Sequence, residues 1–165
     1  MSGLDAFTEL LDHPLYVVTA AAADGERAGC LVGFASQCSI SPARFTVWLS
    51  RRNHTFGVAC RSSHLAVHVL GRDRMDTARL FGEETGDEID KFARVDWTSG
   101  PGGVPVLADA SAWFVGQVET RWDGGDHVGF LLAPIAESDP EDAAPGPPGL
   151  LSLSDAAGFS PGHPA

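Results

Sequence analysis

Residues 15–36 read LYVVTAAAADGERAGCLVGFAS, and their reading decides the fold class. The run 15–22 is apolar and reads as a strand. Asp24-Gly25 follows it and is a hairpin signal. A second strand of small, mostly apolar residues then covers 27–36. Its two glycines, Gly29 and Gly33, predict a bend or a close approach of another backbone. Ser41-Pro42 breaks the pattern. A third strand covers 44–50 (RFTVWLS), with Phe45, Val47 and Leu49 on one face. Further strands are predicted at 65–70, 111–122 and 126–136, the last two joined by a tight turn at 123–125 (DGG).

Helical spacing is confined to short stretches. Residues 4–11 and 54–61 predict one short helix each. Residues 73–84 predict another, with Met75, Ala78 and Phe81 on one side. Residues 92–99 and the glycine cluster 100–103 read as an irregular connection. Six strands with at most three short helices predict an antiparallel barrel whose ends are plugged by helices. The strands do not alternate with helices, and neither GxGxxG nor GxxxxGK[ST] occurs. A doubly wound dinucleotide fold and a P-loop are therefore excluded.

The chain has 165 residues, 44% apolar and 20% charged, which suits one globular domain with a tail. The domain is predicted over 1–136. After Glu137 the sequence turns acidic and Pro/Gly-rich (139–149, DPEDAAPGPPG), so 137–165 reads as an extended C-terminal segment. The apolar run 150–153 (LLSL) predicts that this segment docks, with a neighbouring subunit as one candidate surface. No apolar run reaches 18 residues, and the N-terminus lacks the basic and apolar regions of a signal peptide, so a cytoplasmic protein without membrane spans is expected. The formal net charge of −11 argues against nucleic acid as a partner. Lys91 is the only lysine; the other basic residues are arginines, whose planar fork suits phosphate. Cys30, Cys38 and Cys60 show no metal-binding spacing and read as reduced, mostly buried residues.

Three stretches could carry chemistry. The first, 33–42 (GFASQCSISP), leaves a strand and offers hydroxyls, an amide and backbone N–H groups to a planar heterocycle or a phosphate. Its plainer reading is a polar connection between strands. The second, 50–55 (SRRNHT), follows a strand and opens a helix, with Asn53 or Thr55 as the cap and two arginines as a local anion site. Its plainer reading is a solvated charge pair beside a cap. The third, Gly125-Asp126-His127, could set an imidazole at the mouth of the barrel to bind a cofactor or move a proton. No nucleophile elbow GxSxG is present. The acidic stretch 83–90 reads as a solvated face. His68 lies inside a strand and reads as structural. The four tryptophans read as core or interface residues.

In this order the stretches resemble the flavin reductase family, small proteins of the FMN-binding split-barrel fold. The resemblance runs over about residues 5–136. It rests on 17–20 (VVTA), 29–42 (GCLVGFASQCSISP), 45–50 (FTVWLS), 53–55 (NHT), 65–70 (LAVHVL), 78–81 (ARLF) and 125–127 (GDH). It implies a mainly β, six-stranded antiparallel split β-barrel with a few short helices. It implies FMN or FAD as the flavin and NADH or NADPH as the hydride donor. The flavin ring and ribityl chain would fall on Ala35, Ser36, Gln37, Cys38 and Ser39. The phosphate would fall on Ser50, Arg51, Arg52, Asn53 and Thr55, and the nicotinamide would lie near His127. No residue is expected to act as a catalytic acid, base or nucleophile, and no metal is expected. A homodimer with the flavin between subunits, and a flavin-dependent monooxygenase as partner, are implied too. A non-catalytic flavin carrier or sensor, and an enzyme with a different donor such as a deazaflavin, are the alternatives. Leu31, Phe56, and the pair Gln37-Cys38 depart from the residues common in the family.

Overall fold

The computed structural model describes residues 3–87, 89–142 and 149–160. Among the described residues nine strands form: β1 (Tyr16–Ala21), β2 (Arg27–Val32), β3 (Ala35–Ile40), β4 (Ala43–Ser50), β5 (His64–Val69), β6 (Trp97–Ser99), β7 (Pro105–Leu107), β8 (Ala112–Asp123) and β9 (His127–Glu137). The α-helices are α1 (Asp5–Thr8), α2 (His54–Ala59) and α3 (Met75–Glu83). Seven strands make one sheet in the order β2-β1-β5-β8-β9-β4-β3, with every pairing antiparallel. β6 and β7 form a separate hairpin.

The order contains its own closure. β2 and β3 are the opposite edges of the sheet, yet only Gly33 and Phe34 separate them in the chain. Three residue steps span roughly 10 Å at most. A sheet whose two edges are tethered that closely has to curl into a barrel. β2 and β3 are two halves of one bent strand: the first half pairs with β1, the second with β4. This is the bend that Gly33 predicts. Counted so, the barrel has the six expected staves. Residues 37–39, expected as a polar connection after the strand 27–36, instead belong to the edge strand β3, which is largely exposed and bulged between Gln37 and Ser39. The expected irregular connection at 92–103 contains strand β6, which pairs with β7. It was hidden because three-residue strands carry too little periodicity to read.

The barrel interior is filled by alternating residues of the bent sheet, among them Val18, Ala20, Cys30, Val32, Val47, Leu49, Leu65, Val67, Phe130 and Leu132. Phe45 packs against this cluster beside Val47 and Leu49, on the face that its spacing predicts. A second cluster lies outside the barrel. There Leu15, Val17, Leu70, Ala78, Phe81, Phe92, Leu107 and Leu151 pack together. β1 is thus buried on both faces, so its sequence is an apolar run without alternation. Gly29 is where α3 comes closest: a Cβ there would sit 2.7 Å from the Phe81 ring. Lys91 Nζ donates to the Gly29 carbonyl at 2.9 Å and the Phe81 carbonyl at 3.3 Å, tying α3 to the outer edge of β2. Burial pushes its ammonium below the usual lysine range.

The C-terminal segment docks on its own chain. Leu151 is buried in the second cluster. The Leu151 N–H donates to the Leu70 carbonyl, and the Leu151 carbonyl accepts from the Leu15 N–H. The surface that the sequence left open to a neighbouring subunit is, for Leu151, this chain's own core. Ser152 and Asp155 cap the short 3-10 turn Leu153–Ala156, and Asp12 accepts from the Ser154 N–H and hydroxyl in its first turn. The expected extension over 143–148, and the end of the tail beyond residue 160, lie outside the described residues.

His68 is fully buried, as a structural histidine should be. Its Nδ1 lies 2.9 Å from the Val17 carbonyl and its Nε2 accepts from the Leu107 N–H at 3.1 Å. A carbonyl only accepts, so Nδ1 carries the proton and the ring is neutral. Burial lowers its pKa from 6.5 to about 4. The unfolded chain therefore takes up a proton between pH 6.5 and pH 4 that the folded chain refuses. Stability is full above pH 6.5 and falls as pH drops through that window, by roughly 3 kcal/mol over the whole gap. Denaturant titrations at pH 7.5, 5.5 and 4.5 should show the decline. His68→Gln should be less stable at pH 7.5 but lose most of this slope; an unaltered slope would assign it to another group.

Candidate functional site

The barrel's split opens a cleft of about 260 Å³. One wall is the end of β2 and the corner, from Cys30 to Phe34. The other is the end of β4, Trp48 to Ser50, with Asn53 and the Asp126-His127 start of β9. Segments near residues 33, 50 and 127 are thus brought together, because β4 pairs with β9 and places Ser50 opposite His127.

The aromatic wall is set by glycines. A Cβ at Gly124 would stand 2.6 Å from the Trp48 ring, and one at Gly129 would stand 2.9 Å from it. Bare glycines at both positions let the indole lie against the β8–β9 hairpin. Phe34 is more than half exposed, at 56%, and its ring centroid lies 5.0 Å from that of His127. Trp48 and Phe34 give the cleft two apolar ring faces, and Ser50, Asn53 and His127 give it polar atoms. That composition fits a planar heterocycle held by its faces and fixed at its edges. Sequence reasoning missed both rings as site residues. The space for the indole is cleared by Gly124 and Gly129, which only the β8–β9 turn and the strand register place beside it.

His127 is oriented by its neighbour. Its Nδ1 lies 2.7 Å from the Asp126 carboxylate, which only accepts, so Nδ1 carries a proton and Nε2 remains for a ligand. This hydrogen bond and the His127 charge, with Arg52 contributing, hold the Asp126 carboxyl below the ordinary range.

The 50–55 stretch is organised around Asn53. Its side chain accepts from the Thr55 N–H at 2.9 Å, which settles the cap of α2. Thr55 is buried, and its side chain faces Cys30 closely enough to favour the thiolate. Burial raises the Cys30 thiol, with Lys91 and Thr55 opposing. The Arg51 guanidinium is taken up by the β8–β9 turn: Nε donates to the Gly125 carbonyl at 3.0 Å, and an ion pair joins it to Asp123 at 3.0 Å. Arg52 is exposed. Among the candidates, then, Ser50, Asn53 and His127 line the cleft. Arg51, Arg52 and Thr55 do not. Ala35, Ser36, Gln37, Cys38 and Ser39 are not in its lining either; they continue from Phe34 along β3. Cys38 Sγ lies 3.3 Å from the Thr46 hydroxyl, and Gln37 bonds the Ser39 carbonyl. Among the described residues no cluster of His, Cys, Asp or Glu could hold a metal ion, and no helix is long and apolar enough to cross a membrane.

A model of the flavin reductase like domain matches residues 8–153. The chain is 30% identical over 112 residues to a protein described as a probable flavin reductase of Rhizobium meliloti (strain 1021), covering 68% of this chain and 35% of the relative. It is 33% identical over 103 residues to HsaB, the reductase subunit of a flavin-dependent monooxygenase of Rhodococcus jostii (strain RHA1), covering 60% of this chain and 51% of that one. It thus spans between about a third and about half of these relatives' length. Among solved structures it resembles SgcE6, an NADH:FAD oxidoreductase of Streptomyces globisporus C-1027, with a TM-score of 0.71 and 26% identity over 78% of this chain and 75% of that one.

The seating of Trp48 is testable without ligand. Gly129→Ala should force the indole off the hairpin and cost about 1–3 kcal/mol of stability, the usual penalty of overpacking. A denaturation midpoint equal to wild type would show that the ring is not held there.

Proposed function

The chain belongs to the flavin reductase like family, and from that we propose that it is an NAD(P)H:flavin oxidoreductase. One observation carries the proposal: one cleft, walled by Trp48 and Phe34, collects Ser50 and His127 from the paired strands β4 and β9 and Asn53 from the cap of α2. The fold family and the names of the relatives support it. FMN or FAD, when bound, accepts at N5 the hydride that NADH or NADPH gives from C4 of its nicotinamide.

The chain's own residues bind and orient. Trp48 and Phe34 present apolar faces that exclude water from the ring planes. Ser50 and Asn53 supply hydrogen-bonding edges. His127, with its tautomer fixed by Asp126, offers Nε2 to the nicotinamide nucleotide. Ser36, Gln37, Cys38 and Ser39, with Ala35, form the rim strand that would meet the ribityl chain. No side chain needs to act as a base, since hydride transfer asks for stacking at about 3–3.5 Å and for orientation. The carrier reading requires the same cleft, and no observation favours it.

A homodimer, with the second subunit closing the cleft, and a flavin-dependent monooxygenase that consumes the reduced flavin complete the reading. The relative named as a monooxygenase reductase subunit supports that partner. Three free cysteines suit a reducing, cytoplasmic setting.

The test is loss of NADH or NADPH absorbance in air at increasing concentrations of FMN, FAD or riboflavin. Saturable oxidation that depends on added flavin is expected; none with any flavin and either donor would refute the enzyme. His127→Ala should raise KM for the nicotinamide donor about 10-fold or more, the loss of one good polar contact, with little change in flavin binding. Unchanged kcat and KM would leave His127 a structural residue. Ser36→Ala with Ser39→Ala should weaken flavin binding, and an unchanged Kd would remove the rim strand from the site.

A further inference from the structure

The turn that leads into His127 has no apolar anchor. It runs from Asp123, the last residue of β8, to Asp126, the residue before β9. The side chains of Asp123 and Asp126 are 75% and 87% exposed. Gly125 stands at φ +119°, a backbone region that glycine enters readily, and beyond its chain neighbours no atom lies within 4 Å of the place a Cβ would take. Packing therefore does not fix this turn, and polar contacts must.

Residue 51 supplies most of them. The Arg51 N–H donates to the Asp126 carbonyl at 2.9 Å. Its Nε donates to the Gly125 carbonyl at 3.0 Å, and a terminal nitrogen pairs with the Asp123 carboxylate at 3.0 Å. The same carboxylate oxygen accepts the Gly125 N–H at 3.0 Å. That bond and the guanidinium hold the Asp123 carboxyl below the ordinary range. The guanidinium carbon also lies 5.9 Å from the centre of the Phe56 ring, on α2. One planar fork thus braces the turn against the helix, using a carbonyl and a carboxylate at once. A lysine has no such geometry.

The brace bears on His127 through Asp126. Pairing with Ser50 fixes the His127 backbone, but the ring is oriented by the Asp126 carboxylate at 2.7 Å, one residue outside the strand. Arg51 itself does not line the cleft. We propose that Arg51 is a positioning residue: it holds the 123–126 turn so that Asp126 aims the His127 imidazole at the nicotinamide donor. This rests on the reading of His127 as the donor contact.

Arg51→Ala keeps the backbone bond to Asp126 and removes the fork. With flavin saturating, KM for the nicotinamide donor should rise about 3-fold, the scale of an exposed ion pair, with kcat and flavin Kd near wild type. Asp123→Asn, which keeps an oxygen for the Gly125 N–H but loses the charge, should raise KM less. In a His127→Ala background Arg51→Ala should add nothing, because a positioning residue acts only through its target. Nitrogen NMR of the ligand-free protein gives a readout apart from activity: the His127 ring signals should move in Arg51→Ala while those of buried His68 stay. An unchanged KM, an additive effect in the double variant, or unmoved His127 signals would each overturn the proposal. If His127→Ala itself leaves donor KM unchanged, the reading of His127 fails and the proposal with it. A raised KM in His127→Ala beside a wild-type KM in Arg51→Ala sinks the proposal alone.

Discussion

The two-residue joint at Gly33 and Phe34 constrains everything else. It ties opposite edges of a seven-stranded sheet, and no open sheet can satisfy it. The barrel is therefore a consequence of connectivity before it is one of packing. The interior cluster can form only once the sheet has curled, since its strand members come from β1, β2, β4, β5 and β9, with Val58 and Ala59 added from α2. The same joint leaves the split, because a bent strand that pairs with β1 in its first half and β4 in its second cannot pair with both along its length.

A split barrel keeps an edge with unpaired backbone groups, which has to be covered or used. Both happen here. At Gly29 the edge is sealed: Lys91 bonds its carbonyl while Phe81 packs over the missing side chain. Burying that ammonium costs desolvation, visible in its lowered pKa, and carbonyls on β2 and α3 offset part of it. Further along, from Cys30 to Phe34, the edge faces the end of β4 and is left as the cleft. The lone lysine and the candidate site are two solutions to one problem on one strand.

The positions of the six staves were legible because each carries an apolar run or alternation bounded by Gly, Pro or Asp. Gly33 even announced the bend. The site was legible in part. Ser50, Asn53 and His127 meet because adjacent strands place them so, and a pattern of short motifs in order points to that. Arg51 and Thr55 do not line the cleft, for physical reasons. Arginine's fork suits a phosphate and a nearby carboxylate equally, and the sequence does not say that the turn at Asp123 folds back to within 3.0 Å. Threonine after a cap residue has a free hydroxyl on paper; here the helix turns it inward to Cys30. Phe34 and Trp48 were hidden because an aromatic residue in a strand is usually core, and only register shows that glycines clear the space for one of them.

The acidity of the chain has a kinetic meaning as well. Flavin nucleotides and nicotinamide dinucleotides are anions, and a net charge of −11 gives them no long-range steering toward the cleft. Capture then depends on contact with the apolar walls, a short-range and unscreened attraction. In the proposed reading, ring area buried against Trp48 and Phe34 would contribute to the ligand's residence. In the proposed function, passing reduced flavin to a separate oxygenase would require release on each turnover, a demand that very tight binding would oppose.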